Sequence, residues 1–180
     1  MNRNVVEVNK LGLVQVYTGN GKGKTTASLG LAFRAVGTGL NVIMVQFLKP
    51  DKEYGEQISA KNFDGFEIVS MGLDHMTSKI TREEDVRIAK ETLEYLSDLL
   101  RSGKYDIVIA DEINVALSWE LLTAKEVIKV LEGREPNTEV VLTGRGAPQE
   151  IMDYADLVTE MVPIKHPFDK GIGARRGVEY

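Results

Sequence analysis

Short apolar runs alternate along this chain with longer stretches of helical periodicity. Leu13–Tyr17 reads as a buried strand and Asn41–Phe47 as a second. Phe66–Val69 gives a short third strand. Tyr105–Ala110 shows no polar alternation, as expected of a strand covered on both faces. Glu139–Leu142 follows as another strand, and Leu157–Ile164 as a last one. Between them lie helical segments. Lys24–Val36 is closed by Gly37 and Gly39. Arg82 to Leu100 is long and amphipathic, with Val86, Leu93, Leu96 and Leu100 on a helical repeat. Thr81 with Glu84, and Thr123 with Glu126, form capping boxes at two helix starts, the second helix running to Leu131. Gln149–Tyr154 is a short helix. Lys49–Asp64 is polar and reads as loop with a short helix, and Gly72–Ile80 as irregular. Strand–helix alternation predicts an α/β fold: a mainly parallel sheet with helices on both faces.

Bulk properties narrow the function. At 180 residues the natural reading is one domain, with residues 1–11 a flexible N-terminal segment. The formal net charge is −5 and there is no long basic stripe, so nucleic acid is not an expected partner. Cysteine is absent, which excludes disulfides, thiolate nucleophiles and iron–sulfur clusters. No apolar run is long enough to span a membrane, and Met1–Lys10 does not resemble a signal peptide. Cytoplasmic residence is the expectation.

The sharpest motif is Thr18-Gly19-Asn20-Gly21-Lys22-Gly23-Lys24-Thr25-Thr26, set between the first strand and the first helix. Strand, glycine-rich turn and helix make a phosphate-binding loop, the P-loop, although Thr18 stands where a glycine is usual. Backbone N–H groups curl toward the anion at a helix start whose dipole favours negative charge. Lys24 adds a cation for the phosphates, and Thr25 offers a hydroxyl to Mg²⁺.

Two further strand ends belong with this loop. Asp111-Glu112 follows Ile107–Ala110, and carboxylates there suit a Mg²⁺ site shared with phosphates, or else Asp111 caps the next helix. Thr143-Gly144-Arg145-Gly146 follows Val140–Leu142 and presents a guanidinium in a permissive turn, fit for a phosphate fork. Lys22 is read as a phosphate contact. Gln46 and Lys49 face the site if the topology is as expected. Arg34 is assigned to the helix dipole, Trp119 to core or rim, and the loop histidines to no chemistry. These parts alone fit an ATPase, a kinase or a transferase.

Residues Tyr17–Ala27, Arg34-Ala-Val-Gly37, Val45-Gln-Phe-Leu-Lys49, Gly55-Glu56, Asp111-Glu112 and Thr143–Gly146 occur in an order and spacing that resemble the ATP:corrinoid adenosyltransferases of the BtuR/CobO type. The tail from Lys165-His166 through Phe168-Asp169, Gly171 and Ala174 to Gly177-Val-Glu-Tyr180 is similar to that family's ending. The resemblance implies a RecA-like P-loop domain that transfers the adenosyl group of ATP to a reduced corrinoid and releases triphosphate. By position it implies that Gly19, Asn20, Gly21, Lys22, Gly23, Lys24, Thr25, Thr26 and Arg145 bind ATP, with Thr25 and Glu112 on Mg²⁺ and Asp111 as a further candidate ligand. It also implies a homodimer and an external reductant such as a flavoprotein.

One segment departs from the pattern. Enterobacterial members carry Gly-Phe-x-Trp after the third strand, where this chain has Gly72-Leu73-Asp74-His75-Met76. Leu73 and His75 fall on the two aromatic positions, so Leu73, His75 and Met76 are the candidate corrinoid contacts. Two rival functions stay open on sequence alone: an ordinary P-loop kinase or ATPase, and a non-catalytic binder of ATP and corrinoid.

Overall fold

The computed structural model describes residues 11–52, 54–73 and 80–179. Six strands form one sheet: β1 (Val14–Thr18), β2 (Val42–Gln46), β3 (Phe66–Ser70), β4 (Ile107–Asp111), β5 (Glu139–Thr143) and β6 (Leu157–Glu160). Their order is β3-β2-β4-β5-β1-β6, and every pairing is parallel. The helices are α1 (Lys24–Val36), α2 (Gly55–Ala60), α3 (Arg82–Ser102), α4 (Ile113–Ser118), α5 (Ala124–Glu132) and α6 (Gln149–Tyr154), with a 3₁₀ turn at Pro167–Lys170.

Period-two alternation sorts the strand residues between the two faces. Val14, Val16, Ile43, Val45, Val108, Ala110, Val140 and Leu142 share one cluster with Leu93, Leu96 and Leu100 of α3, Val127 and Leu131 of α5, and Ile151 of α6. The alternate residues, Val42, Met44, Ile107, Ile109 and Val141, pack against Ala32 and Ala35 of α1. Helices therefore cover both faces, and α1 and the short α2 line a furrow between them.

Boundaries differ from the expected ones for physical reasons. β4 reaches Asp111 because Gln46 and Asp111 still pair in register across β2 and β4. β6 ends at Glu160 rather than Ile164, because Met161 turns onto the phosphate loop and its carbonyl accepts from Gly21 N at 2.6 Å. Both capping boxes form as expected, with Thr81 accepting from Glu84 N and Thr123 from Glu126 N. Among the described residues no helix is long and apolar enough to cross a membrane.

Candidate functional site

The C-terminal ends of β1, β2, β4 and β5 open on one side of the sheet, where ligands of parallel α/β folds sit. β5 lies between the loop strand β1 and the acidic strand β4. Two glycines of the loop, Gly19 and Gly21, have no room for a side chain. A Cβ on Gly19 would lie 2.5 Å from the Met161 carbonyl oxygen, and one on Gly21 2.7 Å from it. Gly19 and Gly23 also hold φ of 91° and 127°, conformations reserved for glycine.

Lys24 folds back over this loop, its Nζ donating to the carbonyls of Gly19 and Gly21 at 2.7 Å each. Burial pulls its pKa below the ordinary lysine value, and Arg145 adds to the fall while Glu112 and Asp111 oppose it. Lys24 is thus a confined cation, while Thr26 stands exposed in the same first turn of α1.

Asp111 is the hub of the site and is fully buried. Its Oδ1 accepts from Thr25 Oγ1 at 2.9 Å and from Thr143 Oγ1 at 2.7 Å. Its Oδ2 accepts from Lys49 Nζ at 2.9 Å and from Gln46 Nε2 at 3.2 Å. Four donors satisfy both oxygens, so Asp111 joins α1, β2, β4 and β5 at one point. It does not cap α4; that position belongs to Glu112. Gln46 is held in turn by Gln57 Nε2 and Ser70 Oγ, which donate to its Oε1 at 3.0 and 2.7 Å. Gln57 and Ser70 are site supports that no motif signalled, because each sits in a polar stretch or at a strand end.

Glu112 behaves differently. It adopts φ 63°, strained for a residue with a side chain, and makes no cap bond to α4. Its carboxylate faces the cavity. Burial raises its pKa, and neighbouring Asp111 raises it further against the pull of Lys49, Lys24 and Arg145. A desolvated carboxylate lining the same cavity as Thr25 fits a divalent cation. Among the described residues no cluster of three or more His, Asp or Glu is suited to hold an ion. Glu112 and Thr25 would supply only part of a shell, the usual arrangement for Mg²⁺ completed by phosphate and water.

A cavity of about 720 Å³ runs along these groups, lined by Lys22, Lys24, Thr25, Lys49, Glu112 and Arg145 among others. Arg145 is exposed in the turn after β5, between Gly144 at φ 128° and Gly146 at φ 69°. Lys22 is held by the chain's own tail: its Nζ donates to Val178 O at 2.6 Å and lies 3.2 Å from Glu179 Oε1. Asn20 is exposed at the loop's crest. Trp119 sits half exposed at the end of α4, a rim position. Leu73 is half-buried, and its neighbour Gly72 packs so tightly on the backbone of Leu48 and Lys49 that no side chain would fit. His75 and Met76 lie outside the described residues.

Comparison with known proteins identifies the family. A family model described as ATP:corrinoid adenosyltransferase BtuR/CobO/CobP matches residues 10–180. A corrinoid adenosyltransferase of a Sinorhizobium species is 40% identical over 172 residues, covering 94% of this chain and 80% of the relative. Corrinoid adenosyltransferase CobA of Salmonella typhimurium is 38% identical over 170 residues, 94% of this chain and 86% of the relative. The corrinoid adenosyltransferase of Escherichia coli K12 is 36% identical with the same coverage. The chain belongs to the ATP:corrinoid adenosyltransferase family.

Proposed function

We propose that this protein transfers the 5′-deoxyadenosyl group of ATP to the cobalt of a reduced corrinoid. The cobalt(I) electron pair forms the cobalt–carbon bond at C5′, the C5′–oxygen bond breaks, and triphosphate leaves with its electrons. One observation carries this reading: the family match spans residues 10–180, and so takes in both the phosphate loop and the acidic and arginine-bearing strand ends that line the cavity.

The chain's own residues suit the task. Lys24 and the loop N–H groups neutralise the triphosphate and make it a better leaving group, with Arg145 adding charge from the opposite lip. Glu112 and Thr25 would hold Mg²⁺, with Asp111 fixing Thr25 from behind. Mg²⁺, when bound, supplies further Lewis-acid stabilisation of the departing oxygen. Little acid–base chemistry is required, so alignment and exclusion of water do most of the work. Gly72, packed on the backbone of Lys49, supports a corrinoid approach beside it at Leu73, with His75 and Met76 as further candidate contacts. Cobalt reduction is assigned to an external reductant such as a flavoprotein, in keeping with a chain that has no cysteine. A single P-loop domain in a cytoplasmic homodimer completes the reading; the exposed Leu157 and Val158 on edge strand β6, with Val162 just beyond it, support self-association.

The test is product identity. ATP, Mg²⁺ and chemically reduced cobalamin should give adenosylcobalamin and triphosphate in equal amounts. ADP and phosphate in their place would favour a kinase or ATPase and overturn the proposal.

A further inference from the structure

The cavity has two chemically different ends. One holds Lys24, Glu112 and Arg145; the other runs between α1 and α2 and is apolar. Thr26, Leu29, Phe33 and Val36 recur at helical spacing, so they form one stripe of α1 along the furrow. Ala60 and Phe63 form the facing wall, just at and beyond the end of α2. Phe33 is 67% exposed and Phe63 41% exposed, yet their rings meet edge to face, with centroids 5.7 Å apart and an interplanar angle of 89°. Two large aromatic rings left open at the end of a cavity, rather than scattered singly, mark a surface that gains by being covered. Phe33 lies seven residues beyond Thr26, about 10 Å along the helix at 1.5 Å per residue. Glu56 and Ser59 line the stretch between the two ends, offering acceptors to sugar hydroxyls.

We propose that Phe33 and Phe63 form the base-binding subsite for ATP, receiving the purine while the phosphate loop holds the triphosphate. This rests on the ATP-dependent reading above and adds to it the residues that recognise the base. A cationic site continuous with an aromatic one fits a ligand that is anionic at one end and a flat π-system at the other. Aromatic rings recognise a base by its faces, which every base has, so the subsite sets affinity more than base identity. The ribose then lies beside Lys49 and Glu56, next to the backbone on which Gly72 packs. That arrangement turns the sugar, not the outermost phosphorus, toward Gly72 and Leu73.

Calorimetric titration of Phe33→Ala and Phe63→Ala with MgATP and, separately, with inorganic triphosphate tests the subsite. The Kd for ATP should rise about 5- to 100-fold, in the range of base–aromatic stacking losses. The Kd for triphosphate should stay within about two-fold of the parent, since the phosphate end is untouched. GTP should lose affinity alongside ATP, and Phe33→Trp should retain it. Where an alanine variant loses cooperative melting, Phe33→Leu keeps the apolar volume, removes the ring, and serves in its place. Equal loss for ATP and triphosphate would overturn the proposal by making the effect merely structural. Unchanged ATP affinity would overturn it too, and a raised corrinoid KM beside it would give the furrow to the other substrate. If the parent protein makes only ADP, the adenosyl-transfer reading falls, while the Kd comparison still decides the subsite.

Discussion

Lys49 at the foot of β2 places its Nζ 2.9 Å from Oδ2 of Asp111 at the end of β4, and the Asp111 side chain is wholly out of contact with solvent. The pair crosses the sheet where the loop helix begins. It therefore ties the position of Thr25, which donates to the other Asp111 oxygen, to the segment after β2, where the Lys49 carbonyl accepts from Gly72 N.

Removing the cation leaves a buried carboxylate without its counter-charge. Lys49→Met should lower stability by about 3 kcal/mol in urea unfolding, the lower end for buried pairs because Lys49 keeps a quarter of its side-chain surface exposed. Burial alone would lower the Lys49 pKa, but Asp111, aided by Glu56 and Glu112, more than reverses this and leaves it above the ordinary value. A raised folded pKa gives stability that is complete below the unfolded value and fades as pH climbs through the folded one. The gap between parent and variant should hold from pH 6 to 9 and close above roughly pH 10.4. A gap under about 1 kcal/mol would mean that the pair behaves as a surface one.

Glu112 accepts backbone strain that a glycine would not feel. Glu112→Gly should leave the protein between unchanged and about 1 kcal/mol more stable, since relief at φ 63° is offset by greater freedom in the unfolded chain. Glu112→Gln keeps the strain and loses the charge. Both variants should lose at least about 100-fold in adenosyl transfer, or ~2.7 kcal/mol of transition-state stabilisation. Thermal melts and turnover at saturating Mg²⁺ check the pair of outcomes. Turnover within ten-fold of the parent would remove Glu112 from the metal's shell.

Much of this arrangement was legible in the sequence, and the parts that were not have a common cause. α1 was bounded to the residue, because glycines mark both its ends and its apolar stripe is regular. Asp111 and Lys49 could be placed at one edge from strand alternation alone. α4 could not be read: Ile113, Asn114, Ala116 and Leu117 are all buried, so six residues show no polar face and no period. Gln57 and Ser70 support Gln46 through side-chain bonds whose partners are set by packing rather than by spacing. The tail partners of Lys22 lie 156 and 157 positions away, a separation that no local pattern encodes.

The helix caps offer a check on pH. Glu126 bonds the Thr123 side chain and backbone, which holds its pKa below the usual glutamate value. A depressed folded pKa contributes stability above the unfolded value and loses it as pH falls through the folded one. Thr123→Ala should cost about 1 kcal/mol near neutrality. Urea titrations should show that difference shrinking as pH drops below about 4.3, the free glutamate value. A cost that stays constant down to pH 2 would assign it to the hydroxyl cap alone.

The tail bond to Lys22 sets up a competition. Glu179 is held by the Arg175 side chain and backbone, then by Lys22, and its pKa falls to about 2. Its carboxylate is therefore ionised throughout the working range and sits on a lysine of the phosphate loop, in the role a phosphate oxygen would take. Polyphosphate reaching Lys22 must displace that anion. Glu179→Gln removes the charge while Val178 O can still accept from Lys22. The expected result is a two- to five-fold tighter Kd for triphosphate at low salt, the modest scale of an exposed pair. Salt screens exposed charges, so the gain should narrow by 0.5 M NaCl. If the tail were instead a fixed wall of the nucleotide site, the same variant would weaken binding, and the sign of the change separates the two.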